Sequence, residues 1–261
     1  EDTFADSSGE YVSPTEIKVI TPDFEEFGPK KVDVRLSMKG DAMTTTTQFL
    51  YLFDPLCGWC YAAAPALKRI AETRGDQLRL MPTGLFVDPR PVSQIADHAF
   101  TNDSRIQELT GQRFTETYHQ GVMRKPEGVF SSGSLTRALV ALGQIDPVLE
   151  PIFLHTAQMA RYVDGQDTSR ADVVAGIAAQ VARDAGLEVE ERALFAEIEN
   201  GSSLKAETER RINEGRRAMA TLGIQGIPQL IVSDERGTRV LDSRALYAGG
   251  DAVLAHLSEP A

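Results

Sequence analysis

The run Gln48-Phe49-Leu50-Tyr51-Leu52-Phe53-Asp54-Pro55-Leu56-Cys57-Gly58-Trp59-Cys60-Tyr61 is where the reading of this chain begins. Residues 48–53 are short and almost wholly apolar, the pattern of a buried central strand. Asp54-Pro55 ends the strand. The spacing then predicts a helix over 60–74, with Ala62, Ala63, Ala64, Ala66, Leu67 and Ile70 on its apolar side and Gly75 just past its end. Pro65 sits in the early turns of that helix or kinks it. Gln77–Pro82 follows as a second strand. The opening is therefore strand, Cys-x-x-Cys, helix, strand: a βαβ unit with the cysteines where the helix starts.

Cys57 and Cys60 are the only two cysteines in 261 residues. At a helix start the first sulfur faces backbone N–H groups that have no intrahelical partner, and those groups with the helix dipole favour a thiolate. The second sulfur lies one turn further in and can attack a mixed disulfide made by the first. A structural zinc site needs four ligands. With two cysteines, His98, His119, His155 or His256 would have to complete it, and none stands in H-x-x-x-H spacing. A chance pair of inert thiols is the remaining reading, and the position between an apolar strand and a helix argues against it.

Outward from this unit, residues 92–222 show no convincing strand. Helical spacing runs through Ser104–Thr110, Phe114–Met123, Leu135–Leu142, Val148–Val163, Arg170–Gly186, Glu190–Ile198 and Leu204–Leu222. Asp103 or Ser104, Ser134, and Ser169 with Asp172 read as N-terminal caps. Gln229–Val232 and Thr238–Leu241 read as a hairpin about Asp234-Glu235-Arg236-Gly237, and Ala252–Leu257 as a closing helix. A hairpin after a parallel unit makes a mixed sheet. The expected division is residues 43–90 with 200–261 as one α/β domain and 91–199 as a helical insertion covering one side.

The 38 acidic residues outnumber the 27 basic ones, and no Lys/Arg stripe stands out. Nucleic acid and anionic membranes are poor partners for such a surface, and no apolar run approaches the length of a bilayer-spanning helix. Residues 1–42 carry ten acids against five bases. They show no basic start and no apolar core of a secretory signal. Ile17–Ile20 and Val32–Leu36 alternate as short strands do, and Met43 precedes the regular pattern. The expectation is that Met43 is a natural start and 1–42 an extension or artificial leader; the competing one is an arm that pairs with a sheet edge or a second copy.

Asp54-Pro55-Leu56-Cys57-Gly58-Trp59-Cys60-Tyr61, followed by Ala64-Pro65, resembles the thioredoxin superfamily. With the helical insertion it is similar to the DsbA-like branch, and within it to the FrnE-related predicted protein-disulfide isomerases, which share the D-P-x-C-x-W-C start, a segment like Pro82-Thr83-Gly84-Leu85-Phe86 and a helical stretch like Ala157–Gly165. Gly223-Ile224-Gln225-Gly226-Ile227-Pro228 resembles the superfamily's cis-proline segment. The resemblance implies an Ile227–Pro228 cis peptide facing the cysteines, with the Ile227 backbone open to a bound peptide strand. It also shows departures: Tyr51 stands six residues before Cys57, where many thioredoxins carry a buried acid, and there is no second cysteine pair.

The expected function is thiol–disulfide exchange of the disulfide-isomerase type, with Cys57 as nucleophile, Cys60 as resolver, and Trp59, Ile227 and Pro228 binding substrate. Protein or peptide thiols and disulfides are the expected partners, with glutathione as a candidate co-substrate and no metal or other cofactor. The rivals are a glutathione-dependent isomerase or kappa-type transferase acting on a small molecule, and a binding protein with vestigial cysteines. Trp59 is expected to be part-exposed between the sulfurs, Asp54 to serve the turn rather than the chemistry, and Phe86 and Tyr61 to line the groove or the core. The expected compartment is cytoplasmic, with a periplasmic alternative. Cys-x-x-Cys proteins span potentials from about −270 to about −120 mV, and the Gly-Trp dipeptide does not place this one within that range.

Overall fold

The computed structural model describes residues 4–5, 11–12 and 47–258. Two two-residue strands, β1 (Phe4–Ala5) and β2 (Tyr11–Val12), pair antiparallel. The strands expected at 17–20 and 32–36, and the start expected at Met43, lie outside the described residues.

The central strand β3 (Gln48–Phe53) forms as its composition predicts, with Phe49, Tyr51, Leu52 and Phe53 buried. β4 (Leu78–Pro82) runs parallel to it, Leu52 opposite Met81. The short strands β5 (Arg90–Pro91) and β6 (Val129–Phe130) pair antiparallel elsewhere. β7 (Gln229–Asp234) lies antiparallel on the other flank of β3, Tyr51 opposite Leu230, and turns back as β8 (Gly237–Val240). The sheet order is β4-β3-β7-β8, mixed as expected. The β5–β6 ladder corrects the expectation of a strand-free stretch from 92 to 222. Two residues carry no readable alternation, so only the non-local pairing defines them.

The helix after the cysteines is two: α1 (Gly58–Ala62) and α2 (Ala64–Arg74), broken at Ala63 with Pro65 in the first turn of α2, where its missing N–H costs nothing. The helical block comprises α3 (Ala96–Thr110), α4 (Glu116–Tyr118) running into a π-helical turn at His119–Met123, α5 (Gly133–Ile145), α6 (Leu149–Tyr162), α7 (Ala171–Asp184) and α8 (Glu191–Asn200). The long α9 (Ser202–Leu222) returns the chain to the sheet, packing so closely that a Cβ on Gly215 would lie 2.5 Å from the Pro82 carbonyl oxygen. α10 (Ser243–Tyr247), capped by the Asp242 side chain, and α11 (Gly250–Ser258) close the fold against α2.

Three expected caps are corrected. α3 begins eight residues before Ser104, so Asp103 lies inside it, buried, with its carboxylate toward His119. The inward side of this helix carries Asn102 and Asp103, and polar residues there erase the apolar period that would have announced it. α5 starts at Gly133, ahead of Ser134, and α7 at Ala171, with Ser169 instead accepting the Ser131 N–H. Phe114–Met123 is a Thr115-capped turn passing into the π-turn, not one α-helix.

The helical block is fastened to the α/β unit by a buried ion pair. Arg211 of α9 binds both carboxylate oxygens of Glu150 of α6, and its Nη2 also donates to the Leu80 carbonyl of β4. Such bidentate pairing satisfies a guanidinium that could not otherwise be buried.

Candidate active site

Asp54 organises the approach to the cysteines. Its side chain is fully buried. Oδ1 accepts the Leu56 N–H at 2.9 Å, and Oδ2 accepts the Phe86 N–H at 3.0 Å and the Ser132 hydroxyl at 2.9 Å. One carboxylate thus joins the exit of β3, the loop after β4 and the start of α5. Burial raises its pKa, and the three hydrogen bonds with the nearby Arg216 oppose that rise. Its backbone serves too, since the Cys57 N–H donates to the Asp54 carbonyl at 3.1 Å. The Tyr162 hydroxyl, reaching in from α6, donates to the Leu56 carbonyl at 2.9 Å. The carboxylate therefore holds the turn, as its Asp-Pro context suggests.

Cys57 is the N-terminal cap residue of α1, and its carbonyl accepts the N–H groups of Cys60 and Tyr61 at 3.0 and 3.1 Å. Both thiols are free, and both are buried, at 4% and 1% exposure. Cys57 Sγ lies 4.0 Å from the Ile227 carbonyl oxygen. The Ile227–Pro228 peptide is cis. Burial pushes the Cys60 thiol well up, and its hydrogen bond to Cys57 pushes the same way. The Tyr51 hydroxyl donates to the Cys60 carbonyl oxygen at 3.5 Å. Burial holds Tyr51 far above the ordinary phenol range, so it serves as a neutral donor where a carboxylate would be an acceptor.

Cys57, Cys60, Ile227 and Pro228 meet at one end of β3 and β7, though 167 positions separate Cys60 from Ile227 in the chain. Trp59 is close by but not as expected. It is 2% exposed, not part-exposed. Its indole packs on Tyr247 at 5.3 Å between ring centroids, and Nε1 donates to Asn102 Oδ1 at 3.0 Å. The helical block covers the dipeptide, which the local sequence could not reveal. Tyr61 and Phe86 are core: Tyr61 stacks on Tyr162, and Phe86 meets Phe130 edge to face. Sequence reasoning passed over Tyr247, Tyr162 and Asn102, and took Ser132 only as part of a loop and helix cap. No spacing links them to the cysteines; Tyr247 could have been noticed only as an aromatic residue beside the Gly249-Gly250 turn.

Among the described residues, no group of three or more His, Cys, Asp or Glu side chains is placed to hold a metal ion, and no helix is long and apolar enough to cross a membrane. The chemistry available to the site is that of two neighbouring thiols, one at a helix start and one buried behind it. They can share a disulfide at the cost of two protons and two electrons.

A parallel βαβ unit with Cys-x-x-Cys at the helix start, an antiparallel hairpin on the other flank and a helical insertion define a thioredoxin-fold protein of the DsbA type. The family model of the DSBA-like thioredoxin domain matches residues 50–248, and the chain belongs to that family of thiol–disulfide oxidoreductases. Among solved structures it is similar to the cytosolic disulfide reductase DsbM from Pseudomonas aeruginosa, at 29% identity and a TM-score of 0.69, covering 80% of this chain and 98% of that one. The same protein with GSH aligns at 32% identity and a TM-score of 0.67, covering 81% and 100%. A comparison with curated proteins finds no match.

Proposed function

We propose that this protein is a dithiol–disulfide reductase in which Cys57 attacks and Cys60 resolves. The observation that carries the reading is the asymmetry of the pair. Cys57 stands at the N-terminus of α1, its Sγ 4.0 Å from the Ile227 carbonyl oxygen. Cys60 lies one turn further in, where burial pushes its thiol well up. In the forward step, the Cys57 thiolate attacks a substrate disulfide and one substrate thiolate leaves. Cys60 then gives up its proton and attacks Cys57 Sγ. The second substrate thiolate leaves, the substrate is reduced, and a Cys57–Cys60 disulfide remains. The Ile227 backbone carbonyl, beside Cys57 Sγ, orients the incoming chain as an added strand.

Reduction as the working direction, glutathione as the electron source and a cytosolic compartment are supported by the likeness to DsbM, described as a cytosolic disulfide reductase and solved with GSH. Glutathione returns the pair to the dithiol by two successive exchanges, ending as glutathione disulfide. Isomerisation of protein disulfides would use the same first step.

The test is a pair of serine variants mixed with a peptide disulfide and glutathione. Wild type turns over; Cys57→Ser is inert; Cys60→Ser accumulates a stable mixed disulfide on Cys57, visible by mass. Full turnover by Cys60→Ser would replace this reading with monothiol, glutathione-linked chemistry on a small molecule.

A further inference from the structure

We propose that Asn102, on α3 of the helical block, is a positioning residue for the cysteine pair, acting through the indole of Trp59. The argument starts from hydrogen-bond capacity. An indole N–H can only donate, and a buried one needs an acceptor. Trp59 Nε1 has Asn102 Oδ1 at 3.0 Å. Facing its oxygen to the indole turns the amide nitrogen of Asn102 the other way. There Nδ2 meets the His98 carbonyl oxygen at 2.9 Å and His98 Nε2 at 2.8 Å. The amide is therefore held in one orientation. The arrangement assigns His98 the tautomer with its proton on Nδ1, leaving Nε2 to accept.

The indole is also held by its faces. Tyr247 of α10 packs against it, and the Arg105 guanidinium of α3 lies 5.8 Å from its ring centroid. Two more residues of α3 reach the other half of the dipeptide: Asp103 Oδ1 would lie 3.6 Å from a Cβ on Gly58, and Ile106 Cδ1 3.2 Å. One helix of the insertion thus grips both residues between the cysteines. The Asn102 side chain bonds to Trp59 and His98 and to neither sulfur, so any effect on the cysteines passes through the conformation of α1. The grip is seen with both thiols free. Closing a disulfide draws the two sulfurs together and moves the Gly58-Trp59 turn between them; the grip resists that movement and so favours the dithiol over the disulfide.

This inference rests on the dithiol reading above, and the experiment separates the two. Wild type, Asn102→Leu, Asn102→Asp, Trp59→Phe and the Asn102→Leu/Trp59→Phe double variant are each equilibrated with glutathione buffers, and the dithiol fraction is read by alkylation and mass. Loss of one hydrogen bond predicts that Asn102→Leu shifts the equilibrium toward the disulfide by about three- to tenfold, tenfold being about 30 mV. Trp59→Phe, which keeps a ring and loses the N–H, shifts it the same way, and the double variant adds nothing further. Asn102→Asp, which keeps an acceptor oxygen, restores the wild-type value to within about twofold. A wild type that forms no Cys57–Cys60 disulfide at any poise removes the dithiol reading itself. A normal wild type with Asn102→Leu unchanged, shifted the other way, or additive with Trp59→Phe overturns the role of Asn102 alone. So does an Asn102→Asp that behaves like Asn102→Leu, because the acceptor would then be irrelevant.

Discussion

Replacing Asp54 separates structural from catalytic service at the point where the chain enters the site. The carboxylate is fully buried and is the acceptor for three donors: the Leu56 N–H, the Phe86 N–H and the Ser132 hydroxyl. Asp54→Ala orphans all three, and each buried unsatisfied donor costs about 1–3 kcal/mol. The Ser132 hydroxyl can turn toward another acceptor, and removing a buried charge returns part of its desolvation cost. The expected loss is roughly 3–6 kcal/mol, against a total stability of about 5–15 kcal/mol for ordinary domains. Asp54→Asn is milder. Its amide oxygen still takes one N–H and Ser132 can accept from its NH2, but the other backbone N–H then faces a donor, for about 1–3 kcal/mol. Urea denaturation measures both. The pH dependence supplies a second signature. Burial raises the folded-state pKa of Asp54 above its unfolded value, so its contribution is fully present below the unfolded value, about pH 4. It falls away as pH rises through the folded value, and Asp54→Asn lacks that fall. Exchange activity per folded molecule should stay within about twofold of wild type in Asp54→Asn, because the carboxylate is spent on backbone and hydroxyl donors. A variant of unchanged stability with turnover down by an order of magnitude would refute the structural assignment and make Asp54 a proton carrier for Cys60.

Three further outcomes follow from the same geometry. Breaking the buried pair by Arg211→Met should destabilise by about 3–5 kcal/mol, and Glu150→Leu on top of it should recover a substantial part, since the stranded charge is the larger cost; a double-mutant cycle in urea that shows simple additivity would contradict this. In the reduced native protein, burial and the hydrogen bond to Cys57 keep Cys60 protonated, so iodoacetamide between pH 6 and about 9 should modify Cys57 first, with Cys60 reacting readily only in denaturant; equal native rates would count against the assigned order. Gly84 has a φ of 64°, and a Cβ there would lie 2.9 Å from Ile212 Cγ2; Gly84→Ala should therefore cost about 1–3 kcal/mol, read as a lowered Tm, and an unchanged Tm would mean that this loop relaxes freely.

The sequence by itself determined the local chemistry and the order of the elements. An apolar six-residue run, an Asp-Pro stop, a cysteine pair and an alanine-rich helical face are each short-range signals, and β3, α1 with α2, and β4 follow from them. The hairpin of β7 and β8 was legible for the same reason, and Cys57 and Cys60 could be singled out because no other cysteines compete for the role. What only the tertiary structure decided is what surrounds the sulfurs. Tyr51 reaches Cys60 from the neighbouring strand, and Tyr247 arrives from near the end of the described chain. Trp59 is buried because α3 lies over it, and α3 itself was half hidden because the polar Asn102 and Asp103 are among its buried residues. Asp54 became a three-way anchor only when Phe86 and Ser132 were brought to it from 32 and 78 residues away. Periodicity records which side of an element is apolar. It holds no record of which distant polar atom will meet a buried donor, and that pairing, once water is excluded, decides which side chains control the thiols.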